Sequence, residues 1–187
     1  MKSPLRVAAF ALACSLVSLT ARAAEPGAVD LAKFVPADGC EYVEVNLHPA
    51  VLKFASVFVD KNNPEVATLL RNLKRVRVNV VGYNDTTRED TTARITKIRD
   101  RLETEGWSKI VTARQGDKDE DVAVFVKTNN SDGIDGIVVT VLDSREKHAV
   151  FVNIVGDIKP EQLAAIGKQL NIDPLEHLHI PSERKGA

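Results

Sequence analysis

The sequence predicts an α+β domain in which a mostly antiparallel sheet of about six strands carries helices packed mainly on one face. Apolar and polar residues alternate along several short stretches, which is the period of a half-buried strand. Other stretches repeat apolar residues at helical spacing. The second half of the chain contains four strand-like runs joined by short turns, and short connections make consecutive strands antiparallel neighbours. Together these patterns favour one sheet with attached helices.

The first half of the domain begins with a strand and a helix. Residues 41–47 predict a strand because Val43, Val45 and Leu47 alternate with polar side chains. Pro49 predicts the start of a helix, since proline is favoured in the first turn. The residues expected on the buried stripe of this helix are Val51, Leu52, Ala55, Phe58 and Val59. Those expected on its opposite stripe are Lys53, Ser56 and Asp60.

A second helix, a strand and a third helix follow. Asn63 and Pro64 predict a capped helix start, and residues 74–83 alternate strongly enough to predict a strand. Thr86 stands three residues before Glu89, which predicts a capping box for the third helix. The apolar seam expected on that helix, which ends near Gly106, consists of Ile95, Ile98 and Leu102.

The second half predicts strands at 108–114, 122–127, 137–142 and 148–155, followed by a helix over 160–170. The last two strands are apolar on both sides, which is typical of central strands covered on both faces. We therefore expect either helices or a partner to cover the second face. The residues expected to be buried on the final helix are Leu163, Ile166 and Leu170.

The first 23 residues have the pattern of a secretory signal peptide. Lys2 and Arg6 precede an apolar run that is too short to span a bilayer comfortably, and Ala21 and Ala23 occupy the positions that signal peptidase recognises. We expect cleavage after Ala23. Lipoprotein processing at Cys14 is an alternative that would leave a different N-terminus. The predicted organisation is a signal peptide over 1–23, an N-terminal segment over 24–39, one domain over 40–172 and a loosely held tail over 173–187.

Cleavage would remove three positive charges, Lys2, Arg6 and Arg22, and change the net charge from −1 to about −4. Nothing in this charge balance favours nucleic acid as a partner. Cys40 would be the only remaining cysteine, so no intramolecular disulfide is possible. We interpret Cys40 as a small half-buried residue at the start of a strand; a reactive or intermolecular thiol is the alternative.

Three short stretches carry a family resemblance. Residues 152–163 read Val-Asn-Ile-Val-Gly-Asp-Ile-Lys-Pro-Glu-Gln-Leu, residues 43–47 read Val-Glu-Val-Asn-Leu, and Gly106-Trp107 closes an amphipathic helix before a strand. This combination resembles domain-of-unknown-function family 4252, a family of exported bacterial proteins. The resemblance implies an α+β extracytoplasmic domain and supplies no activity or catalytic residues. Lys159 departs from it, because an acidic residue is expected before Pro160.

Candidate metal sites are incomplete. Asp117, Asp119 and Asp121 alternate as in the first half of a calcium loop, but Val122 stands where such a loop needs glycine. We interpret this stretch as a solvated hairpin tip. His177 and His179 lack the further ligands that a zinc site needs. The sequence therefore predicts no metal.

The sequence contains no phosphate-binding glycine loop, dinucleotide fingerprint, nucleophile elbow or thiol pair. It therefore predicts neither a cofactor nor a recognisable catalytic centre. Glu44 with His48 is an open acid-base pair, although we expect Glu44 to meet Arg75 or Arg77 across the sheet.

Two functions remain as hypotheses. The favoured one is a non-catalytic module of the bacterial cell envelope, periplasmic or secreted, that binds another envelope protein or self-associates through a sheet face. The alternative is an envelope hydrolase whose site is assembled from scattered polar residues. The binding residues predicted on the outer sheet face are Phe125, Thr140, Phe151, Arg75 and Arg77. No transmembrane anchor is expected after cleavage.

Overall fold

A computed structural model of the chain describes residues 25–30, 36–59, 63–115, 120–130, 133–159 and 162. The strands are β1 (Tyr42–Leu47), β2 (Leu73–Gly82), β3 (Ser108–Gln115), β4 (Glu120–Thr128), β5 (Ile134–Asp143) and β6 (His148–Ile158). The helices are α1 (Pro49–Val59), α2 (Pro64–Asn72) and α3 (Arg88–Thr104). Apart from Gln162, the predicted final helix, the leader and the tail fall outside the described residues.

The six strands form one antiparallel sheet in the order β1-β2-β6-β5-β4-β3. This confirms the α+β class and the predicted meander from β3 to β6. β6 lies between β2 and β5, and Val152 is the register partner of both Val78 and Val139. The expectation that the last two strands are central is therefore confirmed.

Each face of the sheet has its own apolar cluster. Face A is the side that carries Val124, Val139 and Val152, and α1 and α2 pack into it through Leu52 and Leu69. Face B is the side that carries Phe125, Val138 and Phe151. Two of the three described helices thus lie on face A.

Face B is covered by α3 and by the segment of residues 25–30. The three residues of the predicted α3 seam are all buried against this face, as is Trp107 just after the helix. Val29 belongs to the same cluster, and Asn153 binds the backbone of the segment. The second face is therefore covered from within the chain, which was one of the two options left by the sequence.

The predicted orientation of α1 is partly wrong. Leu52 is buried as expected, but Ser56, which we expected on the outer stripe, is also buried, and its hydroxyl donates to the Lys53 carbonyl oxygen at 2.7 Å. Val51 and Phe58, which we expected in the core, are exposed. An internal hydrogen bond satisfies the serine hydroxyl, so its burial carries little penalty.

The two predicted helix starts have different outcomes. Asn63 caps α2 as predicted, accepting from the backbone N–H of Val66 at 3.2 Å. The predicted capping box at Thr86 is wrong, because α3 begins at Arg88 and the side chain of its cap residue, Thr87, makes no capping hydrogen bond to the helix. The Asn84 side-chain oxygen instead accepts from the N–H of Thr86 and of Thr87, each at 3.1 Å. A turn held by asparagine replaces the predicted box.

Candidate functional site

The three apolar or small residues predicted to form an exposed sheet face lie in the core. Phe125, Thr140 and Phe151 are each 0% exposed on face B, and Thr140 and Phe151 are register partners on neighbouring strands. The expectation that they are exposed is therefore wrong. A seam of three apolar residues on α3, together with residues 25–30, is enough to cover them.

Thr140 takes part in a polar network beneath α3. Arg99 on α3 donates through Nε to the Thr140 hydroxyl at 2.9 Å and through a terminal nitrogen to the Asp121 carboxylate at 2.8 Å. The Thr140 hydroxyl donates to the Ala123 carbonyl oxygen at 3.4 Å. Arg114 also reaches Asp121, at 3.2 Å. Asp121 thus anchors two arginines, and its role in the described structure is to hold α3 to β4 and β5.

Arg75 and Arg77 lie on face B near the β1 edge and are partly exposed. A terminal nitrogen of Arg77 donates to the Glu44 carboxylate at 3.0 Å, which confirms the expected cross-strand pairing of Glu44. Arg75 lies 3.9 Å from the Glu25 carboxylate. Both guanidinium groups therefore have an internal acidic partner, and a binding role for them stays a prediction.

A chain of side-chain hydrogen bonds connects the same edge of face B. Asn79 donates to the Tyr42 hydroxyl at 3.1 Å, and that hydroxyl donates to Glu44 at 2.9 Å. Desolvation by burial, and next the hydrogen bond to Glu44, raise the pKa of Tyr42 above its usual value. The Tyr42 hydroxyl and the Arg77 guanidinium thus each bind one oxygen of the Glu44 carboxylate.

The most exposed large apolar residues of the described chain lie on α1. Phe54 is 66% exposed, Phe58 is 65% exposed, Val57 is 66% exposed and Val51 is 49% exposed. We call these four residues the α1 surface. The two phenylalanine rings meet edge to face, with centroids 4.8 Å apart and planes at 69°. The aromatic pair thus forms a compact apolar projection from face A.

Sequence reasoning did not predict the α1 surface, although the signal was present. Lys53 is the only charged residue within α1. A helix that is apolar on nearly every side is typical of one that is covered on every side. The helix buries Leu52 against face A, so the remaining apolar side is left toward solvent. It is the strongest candidate for a contact surface.

Comparison with known families supports the resemblance. Residues 38–166 match the family described as a domain of unknown function (DUF4252). The chain belongs to the DUF4252 family. The match contains all six strands and the three described helices. No curated protein and no solved structure matches the chain.

The acidic and histidine residues of this DUF4252 domain are dispersed where they are described. No group of three or more histidine, cysteine, aspartate or glutamate side chains in the described ranges is arranged to hold a metal ion. Asp117, Asp119, His177 and His179 lie outside those ranges. Cys40 is a free thiol of intermediate burial, as expected from the sequence.

A surface cleft of the DUF4252 domain lies between the start of α3 and the end of β2. Its volume is about 260 Å³, and Thr87, Asp90, Thr91 and Arg94 line its helical side. Asp90 is the single carboxylate among the residues that line it. The lining therefore lacks the pair of acid and base groups that hydrolysis commonly uses.

None of the three described helices of the DUF4252 domain has the length and apolar character needed to cross a membrane.

Proposed function

We propose that this DUF4252 protein is an exported, non-catalytic interaction module of the bacterial cell envelope, and that the α1 surface is where it binds. The observation that carries the proposal is the exposure of Phe54 and Phe58 next to Val51 and Val57. A contiguous apolar patch is costly to leave in water, and such patches commonly mark a site that a partner covers.

The magnitude of the patch supports a specific contact. An aromatic side chain buries about 150–250 Å² when fully covered, so Phe54 and Phe58 together expose on the order of 200–300 Å² of apolar area. At about 25 cal/mol per Å², covering the two rings alone would contribute on the order of 5 kcal/mol before the costs of association. Phenylalanine is also one of the aromatic residues that are enriched in protein interfaces.

The chemistry of α1 favours a protein surface over a lipid surface. Helices that lie on membranes combine an apolar side with a polar side rich in lysine and arginine. Within α1 the only such residue is Lys53, and the opposite side of the helix is buried in face A. The net charge of about −4 predicted after cleavage would also oppose anionic lipid. We therefore infer that the partner presents an apolar protein surface.

Crosslinking in the intact envelope tests the contact. A photoreactive residue at Phe54 is expected to give a discrete crosslinked product. In the double variant Phe54→Glu with Phe58→Glu, the photoreactive residue is placed at Val51 instead, and the crosslinked product is expected to be lost. The matched control is Thr92→Glu with Thr96→Glu, which places two charges at the same helical spacing on the exposed side of α3. Equal crosslinking in both double variants would contradict a role for the α1 surface.

Export is tested separately by fractionation and intact mass. The leader pattern supports release of a chain that begins at Ala24, and lipidation at Cys14 would give a heavier product. A cytosolic chain that retains Met1 would contradict the proposed compartment.

A further inference from the structure

The two edges of the sheet differ in how well they are protected. β3 carries Lys109 and Arg114, and its ladder is interrupted by a bulge between Lys109 and Val111. Charges and bulges are features by which natural edge strands avoid pairing with other chains. β1 has a continuous register with β2 over all six residues and contains no lysine, proline or bulge. The one charge of β1, Glu44, is paired with Arg77 at 3.0 Å, so in the part of the chain that the structure describes β1 is the less protected edge.

The free side of β1 presents a regular row of backbone groups. The Gly82 N–H donates to the Glu41 carbonyl oxygen at 2.7 Å, so these two residues form a hydrogen-bonded pair at the start of the β1-β2 ladder. Such pairs alternate with non-hydrogen-bonded pairs along an antiparallel ladder. The N–H and C=O groups of Tyr42, Glu44 and Asn46 consequently point away from β2. Three residues with this spacing are a template for another antiparallel strand.

We infer that the partner of the α1 surface is a second copy of this chain, joined by antiparallel pairing of the two β1 strands. This inference rests on the proposed binding function of α1 and names its partner. Antiparallel pairing of identical strands places a two-fold axis perpendicular to the sheet, which is the self-complementary geometry of closed dimers. The two six-stranded sheets would join into one sheet of twelve strands.

The same axis brings the two α1 helices together. It keeps face A of both copies on one side, and α1 lies on face A against β2 and α2. α2 contacts β6, so α1 is the helix nearer the β1 edge. With strands about 4.8 Å apart, the two β2 strands would lie about 14 Å apart across the junction. Packed helices lie about 8–10 Å apart, so α1 helices centred over the two β2 strands would leave a gap of about 4–6 Å, which side chains of the α1 surface are long enough to fill.

Charge and area agree with a second copy as the occupant. Glu44 is the one carboxylate of β1, and Arg77 pairs with it at 3.0 Å within each copy, which limits repulsion across the junction. Val43 and Val45 on β1 are each 37% exposed. Covering these two valines and the α1 surface in both copies would bury on the order of 1,000–1,400 Å², which reaches the lower range of specific interfaces.

Sedimentation velocity of the purified mature chain tests the inference. We expect a dimer that dissociates on dilution. Asn46→Pro removes one of the outward N–H groups in each copy without removing a hydrogen bond to β2, and we expect it to weaken association about tenfold or more. Asn46→Ala keeps the N–H and is the matched control, expected to associate as the wild type does. Phe54→Glu with Phe58→Glu should abolish the dimer while the thermal unfolding midpoint stays close to that of the wild type.

The possible results separate the inference from the proposed function. A monomer at all concentrations up to about 0.5 mM, far above the range of specific complexes, would overturn the second copy as partner. If the crosslinks from Phe54 then still depended on Phe58, the binding function would stand with a different partner. If Asn46→Pro left the dissociation constant of the dimer unchanged, strand pairing would be overturned. If Phe54→Glu with Phe58→Glu left it unchanged, the interface would lie elsewhere. If the crosslinks did not change when the α1 surface was mutated, the binding function itself would be rejected.

Discussion

Asn153 on β6 binds the backbone around Val29, across 124 positions of the chain. Its side-chain oxygen accepts from the Val29 N–H at 3.1 Å, and its amide nitrogen donates to the Gly27 and Ile137 carbonyl oxygens at 3.0 and 3.2 Å. Asn153 is 1% exposed. One buried amide thus holds the N-terminal segment against the central strands.

Replacing Asn153 with alanine is expected to destabilise the domain by about 2–4 kcal/mol, because it removes the buried hydrogen bonds that the Val29 N–H and the Gly27 and Ile137 carbonyl oxygens make to its side chain. The measurement is the free energy of unfolding in urea. Asn46→Ala, at an exposed asparagine, is the control and should change that free energy by less than about 0.5 kcal/mol. A loss at Asn153 no larger than at Asn46 would contradict the anchoring role.

Gly27 and Gly39 separate the cost of backbone conformation from the cost of a steric clash. Both have positive φ, +81° and +76°. A Cβ at Gly27 would lie 2.0 Å from the Asp135 carbonyl oxygen, whereas a Cβ at Gly39 would meet nothing within 4 Å. We expect Gly39→Ala to destabilise by about 1 kcal/mol and Gly27→Ala by about 3 kcal/mol or more, because the segment must detach from Gly136. If thermal unfolding showed the same loss of stability for Gly27→Ala and Gly39→Ala, the segment of residues 25–30 would be only loosely held.

Two arginines share Asp121 in different surroundings. The Arg99 side chain is 15% exposed and also binds Thr140, whereas the Arg114 side chain is 77% exposed. Arg99→Ala is expected to cost about 1–3 kcal/mol, and Arg114→Ala less than about 0.5 kcal/mol, since exposed ion pairs are screened by water. A double-mutant cycle of each arginine with Asp121→Ala measures the two couplings. Similar coupling energies would contradict the proposed role of Arg99 in fixing α3.

The pKa of Tyr42 gives a prediction for alkaline pH. Burial and the Glu44 hydrogen bond raise the pKa of this phenol in the folded state. Because the unfolded state then loses its proton first, stability is fully present below about pH 10 and decreases as pH rises through the folded pKa. Glu44→Gln removes the neighbouring negative charge and should move the pKa of Tyr42 back toward its usual value. Absorbance titration of tyrosinate, with Tyr42→Phe to assign the signal, measures the shift.

Local patterns were sufficient to predict the strands and the class of the fold. The alternation around Val76 and Val78 predicted β2, and the apolar character of both sides of β5 and β6 predicted central strands. The pairing of β6 with β2 was not predicted, because it joins residues such as Val78 and Val152 that are distant in sequence. Periodicity reports which residues share a side, and it does not report which strand lies next to them.

The candidate site was harder to predict for a related physical reason. Phe151 and Phe54 are equally apolar, yet Phe151 is fully buried and Phe54 is largely exposed. The exposure of Phe151 depends on α3 and residues 25–30 crossing face B, which is a property of the tertiary fold. In α1, apolar residues on nearly every side left the rotation of the helix undetermined by its own pattern.

The position of β6 has a consequence for the order in which the molecule can form. β6 is synthesised after the other five described strands, yet it lies between β2 and β5. A chain that emerges N-terminus first from a ribosome or a translocation channel therefore exposes two bare inner strand edges until residues 148–158 arrive. Such edges aggregate readily in unfinished chains. We therefore expect the growing polypeptide to aggregate less when it is shielded until β6, the last described strand, is free to insert.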